Sequence, residues 1–107
     1  MHLLFKKFLS KVRNHIDQLS WPTVLFAVLA HVLFTWLLLY MANEKELISF
    51  NHFIYYYIVT TSTVGYGDFS PVTDLGKWFV ARGQIPIGLA LFGVFLGKTG
   101  QTITQLI

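Results

Sequence analysis

The 107-residue sequence contains no cysteine and very few charged residues. Without cysteine there is no disulfide and no thiolate metal site. Only 12% of the residues are Asp, Glu, Lys or Arg, whereas a soluble domain of this size needs more charge to cover its surface. No charged side chain falls between Asp17 and Glu44, and that gap is long enough for a helix to cross a hydrocarbon core of roughly 30 Å. The composition therefore favours a membrane protein.

Basic residues are concentrated at the N-terminus, where four of the eight Lys and Arg lie within the first thirteen residues. We interpret this as a topology signal that places the N-terminus on the cytoplasmic side, rather than as a nucleic-acid-binding patch. Apolar residues three and four apart predict an amphipathic helix within residues 1–20 that lies in the membrane interface. A short cytosolic helix packed on another protein domain is the alternative. The apolar face comprises Phe5, Phe8, Leu9, Val12, Ile16 and Leu19. The polar face comprises Lys6, Lys7, Ser10, Lys11, Arg13, Asn14 and Asp17.

Two long apolar segments predict two membrane-spanning helices. The first, residues 21–42, begins at Ser20-Trp21-Pro22, where the serine can cap a helix and the proline fits its first turn. After a polar connection at 43–50, residues 51–62 are apolar and aromatic but too short to span, which predicts a re-entrant helix. Residues 72–107 predict a second spanning helix longer than one bilayer core. Both termini then lie on the cytoplasmic side.

Residues 63–71 are predicted to return through the membrane as irregular backbone. Such backbone persists at membrane depth only where it is buried in protein or lines a water-filled cavity, so the loop predicts a path for water or ions. Rings of neutral backbone carbonyls can replace the hydration shell of a monovalent cation. For successive carbonyls to point the same way, alternate residues must be left-handed, and Gly65 and Gly67 allow this without steric cost.

Within this region, Thr61-Ser62-Thr63-Val64-Gly65-Tyr66-Gly67-Asp68 resembles the signature filter of potassium channels. Residues 3 to 107 as a whole resemble the two-transmembrane bacterial pore modules, with interfacial helix, outer helix, turret, pore helix, filter and inner helix. The resemblance implies an all-α membrane protein that assembles as a C4 homotetramer in the lipid bilayer of the cell inner or plasma membrane. It implies passive, selective conduction of K⁺, with no enzymatic activity, no organic cofactor and no nucleic-acid partner.

Two alternatives to selective K⁺ conduction stay open. Residues 68–77 also resemble the bacterial nonselective sodium–potassium channel branch, although that branch lacks the Tyr-Gly-Asp ending found here. A weakly selective Na⁺/K⁺ channel is therefore the first alternative, and a non-conducting oligomeric membrane anchor is the second. Relatives often continue into a cytosolic ligand-sensing domain, so the resemblance allows such a partner outside these residues.

Four residues of the loop are expected to bind K⁺ through their backbone carbonyls, with the Thr63 hydroxyl adding a lower ring. These residues are Thr63, Val64, Gly65 and Tyr66. Gly67, Asp68 and Tyr55 are expected to support the filter, with the Tyr55 hydroxyl near Asp68; simple packing of Tyr55 is the alternative. Many relatives hydrogen-bond the mouth aspartate with a buried carboxylate, and Val59 stands in the matching position, so we expect that link to be absent.

The inner helix carries two candidate gating residues. Pro86 removes a backbone hydrogen bond to the Arg82 carbonyl and predicts a kink. Gly88 lies where the resemblance places a gating hinge, and close helix packing is the alternative for this small residue. Phe95 is expected to form a hydrophobic constriction. The residues expected to face the central cavity are Gly88, Leu91, Phe92, Phe95 and Thr99.

Arg82 does not fit the apolar pattern, because the rise per residue places it near mid-membrane. Charged groups there are expensive and usually face a protein interior or water. His31 on the outer helix should lie at a similar depth. We predict that neutral His31, Gln84 or a pore-helix hydroxyl accepts a hydrogen bond from Arg82. A side chain that snorkels through a crevice is the alternative.

Overall fold

The computed structural model describes residues 2–106, with Asp17 as backbone only, and every regular element in that range is helical. The elements are α1 (His2–Gln18), α2 (Trp21–Met41), α3 (Phe50–Thr61), α4 (Asp74–Phe79), a π-helical turn (Val80–Gln84) and α5 (Ile85–Leu106). The predicted all-α fold class is confirmed. Met1 and Ile107, which bound the predicted first and last segments, lie outside the described residues, as does the Asp17 side chain assigned to the polar face.

Helix α2 begins where the sequence predicted a cap. The Ser20 backbone is extended, its hydroxyl accepts from the Thr23 N–H at 3.4 Å, and Pro22 occupies the first turn. At about 1.5 Å per residue, the 21 residues of α2 give a length of about 31 Å, close to the hydrocarbon thickness. The buried residues of α2 form one stripe along the helix, at Val24, His31, Thr35 and Leu39.

The inner helix runs from Asp74 to Leu106 as one apolar unit of 33 residues. With α2, it is the second helix that is long and apolar enough to cross a membrane. Pro86 was expected to kink this helix, and the structure has a π turn just before the proline. There the N–H of Ile85 bonds to the Val80 carbonyl five residues earlier. A π turn inserts one extra residue, so the faces beyond it are rotated by about 100° relative to a regular helix.

Helix α3 packs between the two long helices. A cluster of buried side chains connects α2, α3 and the inner helix. Its members are Leu39 of α2, Leu47 of the connection after α2, Phe53, Tyr56 and Tyr57 of α3, and Val80 of the π turn. With 12 residues, α3 is only about 18 Å long and cannot span the membrane. Its N-cap position is Ser49, whose hydroxyl donates to the Glu46 carbonyl rather than capping the helix.

At the opposite end of the molecule, α1 and the start of α2 contact α5. A Cβ at Gly97 would lie 3.5 Å from the Ile16 side chain. The Trp21 Nε1–H donates to the Thr102 hydroxyl at 3.0 Å, and the Trp21 ring meets the Phe95 ring edge-on at 5.8 Å. The apolar face of α1 is exposed at Phe5 and Phe8. Its placement in the membrane interface stays a prediction.

Candidate functional site

The loop after α3 has alternating backbone handedness. Helix α3 ends at Thr61, and the Gly65 N–H then donates back to the Val59 carbonyl at 3.0 Å. Positive φ angles occur at Thr63 (71°), Gly65 (63°) and Gly67 (79°), with Val64 and Tyr66 between them outside that region. The left-handed backbone expected at Gly65 and Gly67 is therefore present. Thr63 extends the alternation at a cost of about 1–2 kcal/mol for a residue with a Cβ.

The far end of this loop is anchored on α3 by an aromatic residue. The Phe69 ring lies 4.6 Å from the His52 ring and 5.8 Å edge-on from the Tyr55 ring. The Asp68 carboxylate raises the pKa of Tyr55, because a hydrogen bond to the carboxylate favours the protonated phenol. The structure thus brings Tyr55 and Asp68 together, as the sequence suggested. The supporting function of this pair stays a prediction.

Behind the loop, His31 of α2 links α3 to the π turn. Its Nδ1 lies 2.7 Å from the Tyr57 hydroxyl and its Nε2 lies 3.4 Å from the Gly83 carbonyl. A carbonyl only accepts, so in the neutral ring Nε2–H donates to Gly83 and Nδ1 accepts from Tyr57. His31 is only 4% exposed. The three helices are therefore joined by a buried polar contact.

Gln84 makes a second buried link, one residue further along the π turn. Its side chain is 1% exposed. The amide oxygen accepts from the Tyr56 hydroxyl at 2.9 Å, and the amide nitrogen lies 3.4 Å from the Thr61 hydroxyl. Because Thr61 is two residues before Thr63, this link ends at the base of the loop.

The predicted hydrogen bond from Arg82 to His31, Gln84 or an α3 hydroxyl is wrong. His31 and Gln84 are engaged by the tyrosines of α3, whereas the guanidinium carbon of Arg82 lies 4.5 Å from the centre of the Trp78 ring. Arg82 is exposed and lies on the other side of the turn from Gln84. The rise per residue predicts only a depth for Arg82. Depth does not fix the direction in which a side chain points.

The expected cavity residues divide into two groups. Leu91, Phe92 and Phe95 line a cavity below the end of α3, together with the α3 residues Tyr57, Ile58, Thr61 and Ser62. Gly88, which was also expected to face the central cavity, is buried within the chain. A Cβ there would lie 3.1 Å from both His31 and Thr61. The Phe95 ring also contacts Trp21 of α2, and the Thr99 hydroxyl donates to the Phe95 carbonyl at 2.8 Å.

A family model described as Ion channel matches residues 22–105, which include nearly all of α2, the whole of α3 and the loop, and nearly all of the inner helix. The chain belongs to this ion channel family. The channel is also similar to a protein named Potassium channel K1 from Plasmodium berghei (strain Anka), with 53% identity over 34 residues. That match covers 32% of the channel and 2% of the Plasmodium protein. No solved structure matches the channel.

Glu44 is a structural residue of the channel that the sequence reasoning missed. Its side chain is 2% exposed. The carboxylate accepts from the N–H of Val72 at 2.9 and 3.0 Å, and from the N–H and hydroxyl of Thr73 at 2.6 and 2.8 Å. Thr73 in turn caps α4. Glu44 therefore ties the connection between α2 and α3 to the point where the loop after α3 enters the inner helix. The sequence signal was weak, because Asn43-Glu44-Lys45-Glu46 has the composition of a solvated turn.

Proposed function

We propose that the protein forms a potassium-selective channel that conducts K⁺ passively down its gradient. The observation that carries this proposal is the alternation of left-handed residues at Thr63, Gly65 and Gly67 between two helices of membrane-spanning length. Such alternation lets successive carbonyls face one side, where they replace the water around a potassium ion. The K⁺ ligands are the carbonyls of Thr63, Val64, Gly65 and Tyr66. Similarity to a protein named as a potassium channel supports the choice of ion.

The channel acts as a homotetramer in this proposal. One chain supplies one carbonyl at each level of the filter, so a closed ring needs further copies around an axis. Val64 and Tyr66 support this, because their side chains are 56% and 72% exposed in the single chain and neighbouring copies would cover them. The C-terminal end of α3 carries partial negative charge, which favours a cation below the filter.

The gate lies in the inner helix in this proposal, with both chain termini on the cytoplasmic side. Movement at the π turn, Pro86 and Gly88 would displace α5 below the filter. Leu91, Phe92, Phe95 and Thr99 would then line the path toward the cytoplasm. The cavity that Leu91, Phe92 and Phe95 share with the end of α3 supports this assignment.

Conduction and selectivity are tested by reversal potentials of the purified protein in planar bilayers, with K⁺ on one side and Na⁺ on the other. We expect a large reversal potential, with the K⁺ side negative, because K⁺ would be far more permeant than Na⁺. Gly65→Ala should abolish the current, because an added Cβ is strained at a φ of 63°. Gly93→Ala is the matched control, since a Cβ at Gly93 meets nothing within 4 Å. A reversal potential near zero would favour the Na⁺/K⁺ channel, and an absence of current in assembled protein would favour the membrane anchor.

A further inference from the structure

Arg82 lies in an apolar groove on the surface of the chain, which we call the Arg82 groove. Its walls are Phe34 and Leu38 of α2, Leu75, Trp78 and Phe79 of α4, and Ile87 of α5. At the bottom of the groove α2 approaches the π turn closely, because a Cβ at Gly83 would lie 2.9 Å from the Leu38 side chain. The groove is on the opposite side of the π turn from Gln84, which faces α3. It is therefore separate from the filter and its buried polar links.

The groove holds the positive charge of Arg82. The guanidinium stacks on the exposed Trp78 ring, and no carboxylate pairs with it among the described residues 2–106. Arg82 lies about 12 Å along the inner helix from Asp74, at 1.5 Å per residue. A cation at that position in a spanning helix is costly unless an anion or water meets it. Trp78 is one turn closer to the filter-mouth end, so the side chain extends toward that membrane surface.

The sequence places no acidic residue at the level of Arg82 in the two spanning helices, and this holds for every copy of the chain. The five acidic residues of the sequence are Asp17, Glu44, Glu46, Asp68 and Asp74. None of them lies inside α2, and none follows Asp74 in the inner helix. Glu44 is already engaged by Val72 and Thr73. The lipid bilayer can supply a counter-charge, because its headgroups lie on the side toward which the Arg82 side chain extends.

We propose that the Arg82 groove binds one anionic phospholipid from the leaflet on the filter-mouth side. The acyl chains lie along the apolar walls at Phe34, Leu38 and Ile87, and the phosphate accepts hydrogen bonds from the Arg82 guanidinium. A planar guanidinium suits a phosphate because it can donate two parallel hydrogen bonds. Trp78 lies at the boundary between headgroups and hydrocarbon, where its amphipathic ring is favoured. A net negative headgroup is preferred over a zwitterionic one, because no second charge in the groove would meet a choline.

Fluorescence of Trp78 can report occupation of the groove directly. The sequence has three tryptophans, so Trp21→Phe with Trp36→Phe leaves Trp78 as the only emitter. The assembled protein is titrated in neutral detergent with brominated phosphatidylglycerol or brominated phosphatidylcholine of the same acyl chains. We expect phosphatidylglycerol to quench Trp78 at a roughly tenfold lower concentration, which is the size of effect given by one charge-assisted contact. Arg82→Gln should abolish that preference and leave apolar quenching by both lipids.

Lys77→Gln is the matched control, because Lys77 is also exposed on α4 but does not line the groove. The proposal is overturned if the two lipids quench equally, if the preference survives Arg82→Gln, or if Lys77→Gln removes it as fully. Absence of quenching by either lipid would also overturn the proposal and would indicate that a second copy covers the groove.

Should Arg82→Gln fail to assemble, native mass spectrometry of the unaltered protein decides. Retained phosphatidylglycerol supports the site, and retention of neither lipid contradicts it. Neither the quenching titration nor the mass spectrometry measures ion flux. A result that overturns the lipid site would therefore leave the proposed channel function unaffected.

Discussion

Glu44 places a buried carboxylate against the backbone N–H groups of Val72 and Thr73. Hydrogen bonds to a charged acceptor are worth about 1.5–3 kcal/mol, roughly twice those to a neutral one. Glu44→Gln keeps the shape but loses the charge and turns an amide N–H₂ toward backbone donors. We expect it to lower the free energy of unfolding by about 1–2 kcal/mol, measured by thermal denaturation in detergent.

Glu46→Gln is the control for this substitution, because Glu46 is an exposed residue of the same turn. Surface substitutions of this kind usually change stability by less than about 0.5 kcal/mol. Equal stability of the two variants would show that the Glu44 carboxylate is not needed to hold the turret against the inner helix.

Thr35 leaves a buried hydroxyl without a partner. The side chain is 1% exposed, and its oxygen has no hydrogen-bond partner in the part of the chain that the structure describes. Replacing such a group by an apolar one of the same shape is neutral or stabilising. We expect Thr35→Val to raise the free energy of unfolding by about 1 kcal/mol, whereas Thr35→Ser, which keeps the hydroxyl, should not. A loss of stability in Thr35→Val would mean that the hydroxyl finds its partner in another copy.

At the scale of helices, Gly88 allows α5 to approach both α2 and α3. A Cβ there would lie 3.1 Å from His31 and from Thr61, which is closer than ordinary contact. We expect Gly88→Ala to destabilise the protein by about 1–3 kcal/mol through overpacking, measured by thermal denaturation. Gly93→Ala, where a Cβ has open space, should be neutral or slightly stabilising. If Gly88→Ala retains full stability but alters channel opening, a hinge explains Gly88 better than packing.

The helices themselves could be predicted from the sequence, because their signals are local. The absence of charge between Asp17 and Glu44 set the extent of α2, and Ser20 with Pro22 set its start. The shortness of the aromatic segment separated α3 from the spanning helices. Gly65 and Gly67 indicated the left-handed positions of the loop. These features depend on neighbouring residues alone.

The directions of inner-helix side chains could not be predicted in the same way. No feature of the sequence predicted a π turn at Val80–Gln84, and its one extra residue changes which face each later side chain occupies. Gly88 was accordingly assigned to the cavity although it packs on His31 and Thr61. Arg82 was assigned polar partners because only its depth was available. Glu44 was missed because its partners, Val72 and Thr73, lie far along the chain and belong to the backbone.

At the scale of the whole molecule, the proposed channel needs more than one chain. The side chains of the loop at residues 63–67 include exposed ones, with Tyr66 at 72%, while the residues behind the loop are well packed. His31 and Gln84 connect α3 to the inner helix on the inside, and Glu44 fixes the loop's exit. The scaffold therefore holds the loop in place within one chain, and the open side of the loop is where other copies would meet.

The central claim is that main-chain oxygens from four copies replace the hydration shell of a potassium ion. The most direct measurement is an experimental structure of the assembled protein in K⁺, with Rb⁺ or Tl⁺ substituted to identify the ions. We predict ion density on a fourfold axis, at the levels of the carbonyls of Thr63, Val64, Gly65 and Tyr66. An assembly in which residues 63–67 lie away from a shared axis, or a filter with no ion density at those levels, would contradict the account.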